Sequence, residues 1–295
     1  MAAAKTRRAE LRRVLAPLAA VVALGGCSTI DALNAAQPKG GVSVTDDIAY
    51  RSGARGGLDV YAPRERRPGR PVVVFFYGGG WETGAKGDYA FAGAALARRG
   101  YVVVVPDYRV YPALWPTFLQ DGAEAVRWAR DHAADYGGDP GRLVLMGHSA
   151  GAYNAAMLAL DHRWLGAVGL NPDTDIRALV GLAGPYDFLP LTSPVLMTIF
   201  GPEEARPATQ PIRYVTADSP PMLLVAPADD KVVDPGNVAR LAAKARALGV
   251  HVETRLYPRI NHALAVGALA TPLRWTAPVL RDTTAFIDAQ AGASQ

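Results

Sequence analysis

The chain alternates short runs of apolar residues with longer stretches in which apolar positions recur every three or four residues. The short runs predict strands buried on both faces of a sheet, and the longer stretches predict amphipathic helices. The predicted strands are 46–50, 58–61, 71–76, 101–106, 143–146, 178–182, 222–226 and 251–256, and the predicted helices are 89–99, 118–136, 149–160, 237–248 and 271–289. This alternation predicts an α/β fold, with a mostly parallel sheet of about eight strands covered by helices on both faces.

One stretch interrupts the alternation. Residues 187–221 are apolar between Phe188 and Phe200 and continue as a polar run rich in proline. They predict a small cap segment beside a functional site, with an irregular surface connection as the alternative. The chain has 295 residues, half of them apolar, which suffices for one large domain, predicted at residues 42–295.

The first 26 residues differ in composition from the rest of the chain. Basic residues precede the apolar run Val14 to Leu24, which is 11 residues long and is followed by small residues. A bilayer-spanning helix needs about 20 residues, so the pattern predicts a signal peptide at residues 1–26. This segment carries the whole net charge of +4, and the near-neutral remainder shows no basic stripe for nucleic acid.

The end of the predicted signal peptide has a more specific pattern. The segment 24–27 (Leu-Gly-Gly-Cys) resembles the lipobox of bacterial lipoproteins, and Cys27 is the only cysteine of the chain. The resemblance implies lipidation of Cys27 and anchoring to a membrane surface. The stretch that follows is rich in small and polar residues, and this composition predicts a tether at residues 27–41. Ser28 implies the periplasmic side of the outer membrane if the source is Gram-negative. The alternative is an ordinary signal with an incidental cysteine.

The predicted strand 143–146 runs directly into a Gly-x-Ser-x-Gly motif, residues 147–151, which opens a predicted helix. A serine on such a tight turn has a strained backbone, and the flanking glycines leave room for the turn to close. The helix N-terminus also favours negative charge that develops there. Ser149 is therefore the candidate nucleophile, and a helix-capping serine is the alternative.

A serine nucleophile needs a base that takes its proton, and His262 has the expected place in the chain. It follows the predicted strand 251–256, whereas the other histidines lie on helices, begin a strand or adjoin the serine. An acid that orients the base is expected after the predicted strand 222–226. The candidates there are Asp229, Asp230 and Asp234.

These motifs resemble the α/β-hydrolase superfamily, in which serine, acid and histidine follow in this chain order. The segment 77–81 (Tyr-Gly-Gly-Gly-Trp) resembles the His-Gly-Gly-Gly loop of its hormone-sensitive-lipase-like and feruloyl-esterase-like carboxylesterases. That resemblance implies an oxyanion hole formed by the backbone N–H groups of Gly79, Gly80 and Ala150. The branch includes isoprenylcysteine methylesterases and kynurenine formamidases.

The same resemblance selects Asp230 as the acid, with Val233 in the turn after it and Asp229 as the reserve. The resemblance covers roughly residues 42–290. The chain departs from the family pattern at Tyr77, where histidine is usual, and at His148, where many relatives have aspartate.

The resemblance implies hydrolysis of a small-molecule ester through an acyl-enzyme on Ser149, with no metal or organic cofactor. An amide-type hydrolase, arylformamidase-like or peptidase-like, would use the same three residues. A non-catalytic, lipid-anchored binding protein is the third hypothesis. Trp81 and Tyr153 are candidates for lining the substrate pocket, with core aromatics as the alternative interpretation.

Overall fold

The computed structural model describes residues 29–292, so the predicted signal peptide and Cys27 lie outside the described residues. Eight strands form one sheet, in the order β1-β2-β4-β3-β5-β6-β7-β8. They are β1 (Val42–Ala49), β2 (Gly57–Pro63), β3 (Arg70–Phe76), β4 (Val102–Pro106), β5 (Gly138–His148), β6 (Ile176–Leu182), β7 (Met222–Pro227) and β8 (Val252–Tyr257). The pairs β1–β2 and β2–β4 are antiparallel and all other neighbours are parallel, which confirms the predicted α/β fold.

Ten α-helices are described within residues 29–292. They are α1 (Thr29–Ala36), α2 (Ala90–Ala97), α3 (Thr117–His132), α4 (Ala150–Leu160), α5 (His162–Gly166), α6 (Pro172–Asp175), α7 (Pro194–Ile199), α8 (Gly236–Ala247), α9 (Leu264–Gly267) and α10 (Val279–Ala291). Short 3-10 helices cover Lys86–Tyr89, Ala133–Tyr136, Glu203–Thr209, Pro211–Tyr214 and Thr271–Leu273. Within this part of the chain, no helix combines the length and the apolar character that crossing a membrane requires.

The central strands are continuous apolar runs because helices cover both faces of the sheet. Every residue of β4 is buried, and so is every residue of β3 after Arg70. The edge strand β1 is mostly exposed, with only Val42 buried. Burial therefore increases from this edge to the middle of the sheet. The loops of the candidate site follow two of the central strands, β3 and β5.

Proline divides the helix that we predicted at 271–289. Pro272 lies in the short 3-10 helix Thr271–Leu273, and α10 begins only at Val279, directly after Pro278. A proline lacks the N–H that continues a helix, so the single predicted helix becomes two elements.

Residues 29–36, which we expected to lie in the tether 27–41, form helix α1 instead. The side chain of Asn34 donates a hydrogen bond to the carbonyl of Gly87 at 2.9 Å and accepts one from the Phe91 amide at 2.8 Å. These bonds attach α1 to the start of α2.

The residues around Asn34 extend this attachment. Leu33 packs on the hydrophobic core that covers one face of the sheet. Gln37 is buried, and its Oε1 accepts the Thr271 amide at 2.9 Å. The tether prediction is therefore wrong for 29–36, because these partners lie far along the chain and composition does not report them.

Candidate active site

Ser149 occupies the sharp turn between β5 and α4. Its φ is 55° and its ψ is −123°, a backbone conformation that is costly for any residue with a Cβ. A Cβ at Gly147 would lie 2.2 Å from the carbonyl oxygen of Gly151, and one at Gly151 would lie 2.1 Å from that of Phe76. The two glycines are therefore required sterically. The turn places Ser149 just beyond the end of β5.

The structure brings Ser149 together with His262 and Asp230. His262 Nε2 lies 2.8 Å from Ser149 Oγ, and His262 Nδ1 lies 2.8 Å from Asp230 Oδ2. The other oxygen of Asp230 accepts the amides of Val232 at 2.8 Å and Val233 at 3.1 Å. These bonds hold the carboxylate in place, so that Nδ1 donates to it and Nε2 can accept the serine proton.

Parallel strands explain how residues more than 100 positions apart meet here. Ser149 follows β5, Asp230 follows β7 and His262 follows β8. Because these strands are parallel, their ends share one edge of the sheet, which we call the carboxyl edge.

The other two candidate acids have different partners. The carboxylate of Asp229 is largely exposed and pairs with Lys231. Asp234 accepts the Gly236 amide at 2.9 Å at the start of α8, and this bond lowers the pKa of the Asp234 carboxyl. Of the three, the structure places Asp230 against His262.

The glycine loop after β3 lies beside Ser149. Gly79 has a φ of 135°, and a Cβ there would lie 2.2 Å from the carbonyl oxygen of Thr83. Gly80, with a φ of 64°, and Ala150 line the same cavity as Ser149. Among residues 29–292, no backbone hydrogen bond uses the amides of Gly79, Gly80 or Ala150, so these donors are available to a bound oxygen atom.

Tyr77 stands in this loop where the family resemblance expects histidine. Its hydroxyl donates to Asp107 Oδ1 at 3.0 Å and accepts from Arg55 Nη1 at 2.8 Å. Its ring stacks on Tyr108 with centroids 4.4 Å apart. Burial raises the pKa of Tyr77, so its hydroxyl stays protonated and anchors the glycine loop from below.

His148 lies buried behind Ser149, in a position that sequence reasoning missed. Its Nε2 is 3.1 Å from the carbonyl oxygen of His262, and its Nδ1 is 3.2 Å from the hydroxyl of Tyr89. The Tyr89 hydroxyl in turn accepts the amide of Gly78 at 3.2 Å. No local pattern predicts this chain of contacts, because it joins the end of β5 and a 3-10 helix to the loops of Gly78 and His262.

The surroundings of His148 determine its protonation. Burial above all, and then the nearby His262, lower the pKa of His148 to about 3. A neutral ring that donates from Nε2 and accepts at Nδ1 satisfies both neighbours. Through Tyr89, His148 thus connects the loop of Gly78 with the loop of His262.

A cavity of about 460 Å³ opens at Ser149. The first part of the cap segment 187–221 forms one wall, and the loop after Asp230 forms another. Apolar side chains lining it include Trp81, Phe188, Leu191, Leu196 and Val232. Its polar side is built around Arg240, which lies 2.6 Å from Asp187 and 3.3 Å from Asp234.

The two aromatic candidates for the pocket separate in the structure. Trp81 lines the cavity, and its Nε1 donates to Asn154 Oδ1 at 3.0 Å. Tyr153 is fully buried and donates to the carbonyl of Thr209 at 2.7 Å, outside the cavity lining. The pocket prediction is therefore wrong for Tyr153, because its position on the fully buried helix α4 directs it into an aromatic core cluster.

Comparisons with known proteins agree with this architecture. A family model described as BD-FAE matches residues 58–245. A probable isoprenylcysteine alpha-carbonyl methylesterase of Arabidopsis thaliana is 28% identical over 241 residues, covering 74% of this chain and 51% of the relative. Esterase LipQ of Mycobacterium tuberculosis is 29% identical over 248 residues, covering 76% and 58%. The chain thus spans about half the length of these curated relatives.

Solved structures share the fold. A truncated carbohydrate esterase from gut microbiota superposes with a TM-score of 0.73 at 23% identity, covering 85% of this chain and 97% of that one. Esterase 2 of Thermogutta terrifontis has a TM-score of 0.70 at 23% identity, covering 88% and 98%. Both are similar to this chain over nearly their whole length.

Proposed function

The chain belongs to the BD-FAE family, an esterase-like group of α/β-hydrolases, and from that premise we propose that it is a serine carboxylic-ester hydrolase. The observation that carries the proposal is the 2.8 Å contact between His262 Nε2 and Ser149 Oγ, with Asp230 on the other ring nitrogen. The esterase names of its relatives support it.

In the proposed first half-reaction, His262 Nε2 takes the proton of Ser149 as Oγ attacks the ester carbonyl. The Asp230 carboxylate holds the ring in the right tautomer and stabilises the imidazolium that forms. The carbonyl oxygen, now negative, accepts hydrogen bonds from the free backbone N–H groups of Gly79, Gly80 and Ala150. Collapse of the tetrahedral species breaks the ester C–O bond, and His262 returns the proton to the departing alcohol.

Water completes the proposed cycle. His262 takes a proton from a water molecule that attacks the acyl-enzyme carbonyl, and the second tetrahedral species collapses to release the carboxylic acid. The same proton then returns to Ser149. The two halves use one base and one set of oxyanion donors, so no further group is needed to balance the reaction.

We further propose that the enzyme is a lipoprotein of the bacterial envelope, anchored through Cys27. The Leu-Gly-Gly-Cys pattern at 24–27 and the basic and apolar segment before it support this location. Cys27→Ser is expected to abolish incorporation of labelled fatty acid into the protein. Undiminished labelling of that variant would contradict the anchor.

The nucleophile is tested with a fluorophosphonate probe and p-nitrophenyl esters. Wild type is expected to be labelled and to hydrolyse the esters, whereas Ser149→Ala loses both. Ser193 is the matched control, since it lines the same cavity but caps α7. Ser193→Ala is expected to keep full labelling.

Equal hydrolysis by wild type and Ser149→Ala would refute the assignment of Ser149 as the nucleophile. A preference for a matched amide over the ester would favour an amide-type hydrolase.

A further inference from the structure

Helix α1 determines where the N-terminal segment reaches the domain. Asn34 contacts Gly87 and Phe91 at the start of α2, whereas Gly40 accepts a hydrogen bond from Arg98 at the end of α2. Residues 34–40 therefore run alongside α2 in the same direction.

The direction of α2 follows from the sheet. It connects β3 to β4, which are parallel neighbours, so it must run from the carboxyl edge back to the opposite edge. The start of α1 thus points to the carboxyl edge, where Ser149 lies. Thr29 precedes Asn34 by five residues, which places it about 7.5 Å further in that direction.

Exposed apolar side chains lie at the same edge. Ile30 is 39% exposed, Tyr111 46%, Leu114 44% and Val232 69%. Tyr111 and Leu114 belong to the loop after β4, where the Tyr111 amide donates to the Trp81 carbonyl at 2.7 Å. Val232 lies in the loop after β7 and lines the cavity. Exposed apolar side chains grouped along one edge are typical of a surface that meets a protein or a membrane.

The charges beside Val232 indicate which surface this is. Asp229 and Lys231, on either side of the acid Asp230, pair with each other. Such a balanced pair lacks the excess of basic side chains that an anionic lipid surface attracts. The rim at this point is therefore suited to a neutral lipid surface.

We propose that the carboxyl edge of the sheet is the membrane-facing surface of this protein, with Ile30, Tyr111 and Leu114 contacting a bilayer of neutral lipids. This inference rests on the proposed anchor at Cys27, which precedes α1 by two residues. Because α1 is docked on the domain, the start of α1 and the cavity mouth share one edge. The cavity then receives esters that are presented at the bilayer surface.

Depth measurements on the full lipidated chain test this orientation. Two variants are prepared, Leu114→Cys and Leu248→Cys, and the intact mass of each verifies that Cys27 is acylated. An environment-sensitive fluorophore is then attached to the new cysteine, and the protein is reconstituted in phosphatidylcholine vesicles. Leu248 is the matched control, because it is 41% exposed but lies at the end of α8, at the opposite edge. The Leu114 probe is expected to shift to the blue and to be quenched by spin-labelled lipid, and the Leu248 probe to do neither. Equal responses, or no response at Leu114, would overturn the proposal.

Activity gives an independent readout. Leu114→Asp is expected to slow hydrolysis of an ester dissolved in the vesicle by about tenfold, through loss of apolar contact, and to leave hydrolysis of soluble p-nitrophenyl acetate unchanged. Leu248→Asp is expected to change neither rate. Failure of wild type on both esters would contradict the proposed function. Normal soluble activity with equal vesicle rates in all three proteins would contradict only the membrane-facing surface.

Discussion

The imidazole Nε2 of His148 lies 3.1 Å from the carbonyl oxygen of His262. The two rings are close, with centroids 4.9 Å apart. From behind the turn, His148 does not reach the hydroxyl of Ser149, but it holds the backbone of His262, the proposed base. We therefore interpret His148 as a positioning residue for His262, connected through Tyr89 to the glycine loop.

Two replacements of His148 test whether it positions His262 through its hydrogen bond to the His262 carbonyl. His148→Phe removes the donor to the His262 carbonyl, and we expect kcat to fall about 100-fold with little change in KM, since small misplacements of a base are costly. His148→Gln keeps an N–H donor at a similar reach and is expected to retain most of the activity. Steady-state kinetics on a soluble ester would check this, and equal loss in both variants would contradict a hydrogen-bonding role.

The depressed pKa of His148 predicts a pH-dependent stability. In the unfolded chain this histidine titrates near its ordinary value of 6.5, whereas its pKa in the folded state is about 3. The unfolded state therefore binds the extra proton between these values, so the free energy of unfolding rises with pH across this window and levels off above it. The contribution is about 1.4 kcal/mol per pH unit inside the window.

Urea unfolding of wild type and His148→Gln between about pH 4 and 7 measures this contribution. The wild-type free energy of unfolding should depend on pH more steeply than that of the variant, by about one proton. Parallel curves would show that His148 is not buried in a neutral form.

Asp230 and its neighbour Asp229 provide a matched pair of variants that tests which of them is the acid. Asp230→Asn is expected to lower kcat about 10⁴-fold, because the amide no longer holds the His262 tautomer or balances its charge. Asp229→Asn changes only an exposed pair with Lys231 and is expected to have little effect on kcat. Comparable losses in the two variants would show that the assignment of the acid is wrong.

The strained backbone at Ser149 predicts a gain in stability when function is removed. Ser149→Gly relieves the positive φ and is expected to raise the free energy of unfolding by about 1 kcal/mol, whereas Ser149→Ala keeps the strain. Both variants lack the hydroxyl and should be inactive. Chemical denaturation of the three proteins measures the difference, and equal stability of Gly and Ala would contradict strain at this turn.

The main elements of the fold could be predicted because their signals are local. The buried runs of β3, β4 and β5 are continuous in sequence, and turn glycines follow two of these strands. The serine, acid and histidine could be chosen by their order after predicted strands, and the hydrogen bonds of Ser149, His262 and Asp230 agree with that choice. Cys27 lies outside the described residues, and its lipidation stays a prediction.

Other features depend on contacts between residues far apart in the chain, and the sequence does not predict them. Composition at 29–36 favours a tether, yet Asn34 finds partners more than 50 positions away and α1 docks. The sequence does not distinguish the two aromatic candidates for the pocket. The packing of the sheet and the cap places Trp81 at the cavity and Tyr153 in the core. The strands, the turns and the order of the proposed catalytic groups could be predicted from the sequence, because their signals lie in residues that are neighbours in the chain. The docking of α1, the wall of the cavity and the contact of His148 with His262 required the packed chain, because their partners meet only when the strands align.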